Sequence, residues 1–144
     1  MKLLNRGGAE VMQRFNVRCA TDVTGFSLLG HALKMADASH VTIRINAPKV
    51  PLLEDAYRLI DLGCIPGAAF RNLSFVEERC RFSAGLDYNL KMVLLDPQTS
   101  GGLLFTIAED NVDQALDELR RTGFPSAEVI GRVVDRQQEP LTVN

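Results

Sequence analysis

The chain has 144 residues, of which 46% are hydrophobic and 24% charged, and its formal net charge at pH 7 is −2. That length suits one domain with a buried core, and a near-neutral chain without a block of basic residues lacks the electrostatic footprint of nucleic-acid binding. Because no apolar run approaches the roughly 20 residues of a membrane span and the N-terminus lacks a signal-peptide pattern, we expect a cytoplasmic protein with no membrane partner.

The three cysteines, Cys19, Cys64 and Cys80, are odd in number and far apart. This spacing argues against a disulfide framework or a zinc site and predicts reduced, mostly buried thiols. Cys19 is the one candidate for a reactive thiol, since it precedes a candidate ligand loop, although free cysteines usually behave as small buried hydrophobes.

The first third of the chain predicts two helices and a strand. A helix is expected over about 4–15, with Asn5 as its cap, and a connector or short strand over 18–21 then leads to Asp22. Apolar spacing predicts the central helix over about 25–37, with its core-facing residues at Leu28, Leu29, Ala32, Leu33 and Ala36. The alternation over 41–45 predicts a half-buried strand whose Thr42 and Arg44 face solvent.

The middle third is less regular. A helix is predicted over 52–62, ending at Gly63, with an inward face of Leu52, Leu53, Ala56, Leu59 and Ile60. The segments 68–73 and 75–82 indicate short helices or irregular structure. Arg71, Arg79 and Arg81 alternate with acidic residues there, which favours a solvated mixed-charge surface over an anion-binding cluster.

The last third again alternates strands and helices. Periodicity leaves 90–95 open between strand and helix, whereas 103–108 predicts the strongest strand, apolar enough for the centre of a sheet. A helix is expected from 110–113 to Gly123, followed by strands over 127–134 and 141–143 joined by a hairpin-like turn. The pattern predicts a single-domain α+β or α/β sandwich with a mixed sheet.

The stretch from Cys19 to His31 contains the first candidate site. A loop that contains Thr21, Asp22, Thr24 and Gly25 leads into the central helix. The first N–H groups of that helix can bind an anion by donating hydrogen bonds to it. Asp22 supplies the hard oxygens that Mg²⁺ prefers when phosphate oxygens complete its coordination. The alternative is an ordinary N-cap at Thr24 beside a surface charge, and His31 is expected to pack or hydrogen-bond rather than act as a base.

A second candidate site lies between two apolar runs. Thr99 and Ser100 offer hydroxyl donors, and Gly101 and Gly102 permit positive φ and close approach of a ligand to the backbone. The alternative is that the glycines only form a tight bend or bulge.

The motifs Ala-Thr-Asp-Val-Thr-Gly-Phe-x-Leu-Leu-Gly-His and Asp-Pro-Gln-Thr-Ser-Gly-Gly-Leu-Leu resemble those of the C-terminal domain of selenophosphate synthetase, over about residues 3–143. The resemblance implies a layered α/β/α sandwich with a mixed sheet, of the aminoimidazole ribonucleotide synthetase-like superfamily. It also implies that residues 1–144 are the C-terminal half of a two-domain enzyme that converts selenide, ATP and water to selenophosphate, AMP and phosphate.

The same resemblance implies roles and partners. Asp22 would help coordinate Mg²⁺ on ATP, Thr21, Thr24 and Gly25 would support its loop, and Thr99, Ser100, Gly101 and Gly102 would line the same cleft. The nucleotide-binding segment, the catalytic nucleophile and most metal ligands would belong to the N-terminal domain, so that this chain would be inactive alone. The resemblance leaves open whether the chain is a monomer or a homodimer.

One residue departs from the family pattern: Ser27 stands where the family usually has glycine. Serine is expected to fit the first helical turn, because its hydroxyl can bond to nearby backbone. Two functional classes remain open, an enzyme half and a stand-alone anion-binding or assembly module of the same fold without turnover.

Overall fold

The computed structural model describes residues 4–144. Its helices are α1 (Arg6–Arg14), α2 (Ser27–Ala38), α3 (Ala56–Asp61), α4 (Gly67–Val76), α5 (Tyr88–Leu94) and α6 (Val112–Arg121). Its strands are β1 (Ala20–Asp22), β2 (Val41–Ile45), β3 (Cys80–Phe82), β4 (Leu103–Phe105), β5 (Gly131–Asp135) and β6 (Leu141–Val143). Across this part of the chain, no helix has the length and apolar character needed to cross a membrane.

The larger sheet is mixed and has the strand order β3-β6-β2-β5. Strand β6 is parallel to both β3 and β2, whereas β5 is antiparallel to β2. Helix α2 packs against β2 and β6, and α4 and α5 pack against α2. The predicted combination of helices with a mixed sheet is therefore confirmed.

The central helix α2 buries the face that its sequence predicts. Leu29, Ala32 and Ala36 are fully buried, and Leu28 and Leu33 are nearly so. These side chains recur at three- and four-residue spacing, so that one stripe of the helix faces the sheet. This packing joins α2, β2, β6 and α5 in the larger core.

A second, smaller core lies beside the first. Helix α1 packs against α6, where Val11, Ala115 and Leu119 are buried, and Phe105 of β4 packs against this cluster. Within residues 4–144, β4 pairs only with β1. The prediction of a strand was right, but its placement at the centre of a sheet was wrong.

Two expectations about strand environment were also wrong. Strands β5 and β6 do not form a hairpin, because β2 lies between them. The connection between them passes Thr42, whose hydroxyl donates to Glu139 O (2.9 Å) and accepts from Gln137 N (2.9 Å). Thr42 is therefore fully buried instead of facing solvent, whereas Arg44 is exposed as predicted.

The helix predicted over 52–62 is shorter, because Asp55 has φ +65° and helix α3 begins only after it. Leu53 is 86% exposed, and only Ile60 of the expected inward face is buried. Later, the ambiguous 90–95 run is helical within α5, and β3 is a strand that the sequence did not indicate. Arg79 pairs with Asp37 (2.5 Å) across exposed surface, as a mixed-charge surface predicts.

All three cysteines are free thiols in three different environments. Cys80 is buried in β3, and burial raises the pKa of its thiol to about 12, which keeps it protonated and unreactive. Cys19 is half-buried with Sγ 3.6 Å from Ser39 Oγ. Cys64 is exposed, so the expectation of mostly buried thiols was wrong there.

Candidate functional site

The fold brings the two sequence motifs together. We call residues 22–25 the aspartate loop and residues 98–102 the glycine loop. Val23 donates its N–H to Gly102 O (2.9 Å) and accepts from Gly101 N (3.0 Å), while Gln98 N donates to Thr24 O (3.2 Å). The two loops, although over 70 residues apart in sequence, thus extend the β1–β4 ladder as one unit.

The two glycines have different reasons to be glycine. A β carbon on Gly101 would overlap Gln98 Oε1 and lie 2.9 Å from Val23 O, so a side chain there would push the loops apart. Gly102 has φ +84°, in the region that favours glycine, and open space around it. The positive φ predicted for this pair is found at Gly102, whereas the close neighbours of Gly101 are Gln98 and Val23 of the same chain.

His31, in the second turn of α2, supports the aspartate loop through contacts with Thr24. Thr24 donates its N–H to His31 Nε2 (3.1 Å), and Thr24 Oγ1 lies 3.0 Å from the same nitrogen. A backbone N–H can only donate, so Nε2 is unprotonated and Nδ1 carries the ring proton. Nδ1 faces Thr21 Oγ1 (3.5 Å), which in turn donates to Asp22 O (3.0 Å).

This network divides the predicted residues into two groups. The hydroxyls of Thr21 and Thr24 are engaged with His31, so they support the loop rather than face a ligand. Side chains alternate along β1, which places Asp22 on the face opposite Thr21, where it is exposed. Gly25, Thr99, Ser100 and Gly101 are exposed as well.

Asn72 is a residue of this site that the sequence reasoning missed. From α4, its Nδ2 group donates to Gly25 O and to Leu95 O, both at 3.0 Å, and the side chain is only 7% exposed. One amide thus ties the aspartate loop to the segment that enters the glycine loop. The available signal was an asparagine in register with Ala69 and Val76, both buried on the same helix.

Asp96 is the second carboxylate of the motif region. It is half-buried at the start of the segment leading to the glycine loop, and burial raises the pKa of its carboxyl group above the usual value. Because burial penalises the charged form, a nearby cation would stabilise the Asp96 carboxylate.

Ser27 has an unusual backbone at the start of α2. Its hydroxyl accepts from Gly30 N (3.3 Å), as a capping serine does, so the predicted local bond is confirmed. Its φ is +67°, however, which is costly for any residue with a β carbon. The expectation that serine fits this turn readily was therefore wrong, because this backbone conformation favours glycine.

Replacing Ser27 separates these two effects. Ser27→Gly relieves the strain and loses a cap worth only a few tenths of a kcal/mol relative to glycine, so we expect it to be at least as stable as the wild type. Ser27→Ala keeps the strain and loses the cap, which should cost about 1 kcal/mol. Urea denaturation of the three proteins measures this, and a glycine variant less stable than the alanine variant would contradict it.

Comparison with protein families identifies the fold family. Residues 2–144 match the model of the "AIR synthase related protein, C-terminal domain". The chain belongs to this family. It is 49% identical over 138 residues to a selenide, water dikinase of Porphyromonas gingivalis and 36% identical over 140 residues to that of Clostridioides difficile. The alignments cover 95% and 97% of this chain but only 39% and 40% of those relatives.

Solved structures share the fold at low sequence identity. Hydrogenase maturation protein HypE matches with a TM-score of 0.56 and 21% identity, over 90% of this chain and 33% of that one. Thiamine-monophosphate kinase from Stenotrophomonas maltophilia matches with a TM-score of 0.53 and 20% identity, over 92% and 33%. Together with the family match, these confirm the α+β fold. The selenide, water dikinase relatives confirm the resemblance to the C-terminal domain of selenophosphate synthetase.

The side chains available as metal ligands limit the kind of metal site that this chain can form. Among residues 4–144, no three His, Cys, Asp or Glu side chains cluster closely enough to hold a metal ion. Asp22 offers one exposed carboxylate, which fits the way in which Mg²⁺ binds one or two carboxylates together with phosphate oxygens. It does not fit a site formed by this chain alone.

Proposed function

We propose that this chain is the C-terminal half of an ATP-dependent selenide, water dikinase, with an N-terminal ATP-binding domain outside it. The whole enzyme would convert selenide, ATP and water to selenophosphate, AMP and phosphate. Relatives that are 49% and 36% identical bear that name, and their greater length supports a second domain.

The observation that carries the proposal is the joining of the two motifs into one exposed edge. Asp22 lies at that edge without a side-chain partner that would compete for it within residues 4–144, and Thr99 and Ser100 are exposed in the glycine loop that is joined to the aspartate loop. Three backbone hydrogen bonds fix the loops relative to each other, so that the carboxylate and the hydroxyls need little reorganisation on binding.

In this proposal the residues of this chain bind and position rather than react. Asp22 would hold Mg²⁺ jointly with the phosphates of ATP, while Thr21, Thr24 and His31 keep its loop in place. Bound Mg²⁺ would neutralise phosphate charge during phosphoryl transfer. The hydroxyls of Thr99 and Ser100 would donate to phosphate or selenide. ATP as the nucleotide is supported by the dikinase names and by a structure of the fold relative HypE in complex with ATP.

A chimera tests this proposal. This chain would replace the matched region of the Porphyromonas gingivalis relative, which is 49% identical. We expect the chimera to form AMP from ATP, selenide and Mg²⁺, detected by phosphorus NMR, and the isolated chain to form none. If the chimera folds and binds ATP yet forms no AMP, the enzyme assignment fails and the binding-module alternative replaces it.

A further inference from the structure

An open cleft of about 600 Å³ separates the two cores of the molecule. Its walls are mainly apolar and come from β4 on one side and β5 on the other. Part of the glycine loop, Ser100, Gly101 and Gly102, lies along the same cleft. The cleft is therefore continuous with the candidate site.

Strand β4 turns an unpaired edge towards this cleft. In its antiparallel ladder with β1, Thr106 N donates to Cys19 O and Val23 N to Gly102 O. Hydrogen-bonded and non-hydrogen-bonded pairs alternate in such a ladder, so the peptide groups of Leu103 and Phe105 point away from β1. Both residues line the cleft.

Strand β5 presents a second unpaired edge. Asn46 N donates to Ile130 O at the end of its ladder with β2, while Ile43 and Ile45 of β2 bond towards β6. By the same alternation, the peptide groups of Gly131 and Val133 point away from β2. These two residues also line the cleft, and Val133 is 43% exposed.

Neither edge has a partner strand within residues 4–144. Unpaired strand edges with apolar neighbours are templates for pairing with another segment.

We propose that this cleft receives an extended segment of the enzyme's other part, which pairs with the free edge of β4 or β5 as an added strand. The inference rests on the proposed function, since that supplies the partner. The chain spans only about 40% of its relatives' length, so most of such an enzyme lies outside it. A segment seated here would also bring that part of the enzyme against the glycine loop and hence towards Asp22.

The partner segment has a defined chemistry. A strand in this cleft presents backbone donors and acceptors to one edge and alternate apolar side chains to the walls. No charged side chain is required for recognition, because the peptide groups of Leu103, Phe105, Gly131 and Val133 supply the polar contacts.

Hydrogen exchange on the chimera tests the inference with internal controls. Compared with the isolated chain, we expect exchange to slow at least about tenfold at the outward amides of at least one edge, Leu103 and Phe105 or Gly131 and Val133. The inward amides of Leu104 and Arg132, already bonded within their ladders, report any general change in stability. If exchange at the outward amides slows no more than at these two control amides, the inference is wrong.

A variant pair gives a second readout. Val133→Pro removes an N–H that faces only the cleft, whereas Val133→Ala removes the same side chain and keeps the N–H. If the segment pairs with β5, the proline variant alone loses the slowed exchange in the chimera. If it pairs with β4, both variants keep the slowing at Leu103 and Phe105.

Other occupants give different results. Protection in the isolated chain that rises with concentration would mean that a second copy fills the cleft, and this would overturn the inference. If the chimera forms AMP but the outward amides of both edges are not protected from exchange, the proposed function stands and the cleft inference is wrong. Outward protection without AMP formation leaves the docking right and the proposed function wrong.

Discussion

Asp22→Asn is expected to lower AMP formation by the chimera at least about 100-fold, the loss typical of removing one group that stabilises charge in a transition state. The amide keeps the size of the side chain but loses the charge that attracts Mg²⁺. Asp22 is exposed at the end of β1, so the substitution should leave the fold unchanged. Initial rates at several Mg²⁺ concentrations measure the effect, and we expect the variant to need more Mg²⁺ for half-maximal rate.

A matched control distinguishes a metal ligand from a general charge effect. Asp117→Asn makes the same change on the exposed side of α6, outside both loops, and is expected to keep the parental rate. Equal rates in the two variants, or an unchanged Mg²⁺ requirement in Asp22→Asn, would show that Asp22 does not bind the metal.

Sequence reasoning succeeded where a local pattern decides the structure. The apolar spacing of α2 and α6 specifies one buried face of each helix, and the alternation of β2 specifies a strand. These elements lie where predicted, although Thr42 of β2 is buried. The two motifs also indicated a shared site, because glycines and hydroxyls between apolar runs mark loops that approach a ligand or another backbone. The backbone bonds between Val23 and the glycine loop place them together.

The errors in the strand predictions arose where residues that are distant in sequence determine which strands pair. The segment after β5 resembles a hairpin turn. In the sheet, however, β2 lies beside β5, and β6 pairs with the opposite edge of β2. Pairing of β6 with β3 likewise makes a strand of Cys80–Phe82, which has no strand pattern of its own. Strand propensity depends on such partners, so a single sequence cannot resolve it.

Backbone conformation was the second source of error. Asp55 and Ser27 adopt positive φ, which single-residue propensities assign mainly to glycine. Asp55 shortens the helix expected over 52–62, and Ser27 introduces strain at the start of α2. Both are visible only when the packing of the neighbouring elements is known.

Asn72→Leu is expected to destabilise the chain by about 3 kcal/mol. Leucine is similar in size, but it leaves the carbonyl groups of Gly25 and Leu95 without the donor that each now has at 3.0 Å. Leu95 is buried, and a buried acceptor that loses its partner costs about 1–3 kcal/mol, whereas Gly25 is exposed and its carbonyl group adds less to the loss. Urea denaturation measures the change in the free energy of unfolding.

Loss of the Asn72 hydrogen bonds should also weaken the attachment of the aspartate loop to the glycine loop, because Asn72 bonds to Gly25 O and to Leu95 O from outside the β1–β4 ladder. We expect the Gln98 amide, which donates to Thr24 O (3.2 Å), to exchange faster in Asn72→Leu than the change in global stability alone explains. Asn89→Leu is the matched control: it removes a bond to Asp61 at an exposed site and should change stability by less than about 0.5 kcal/mol. If the two variants lose equal stability and Gln98 is unaffected, Asn72 is an ordinary core residue and the coupling of the two loops rests on their backbone bonds alone.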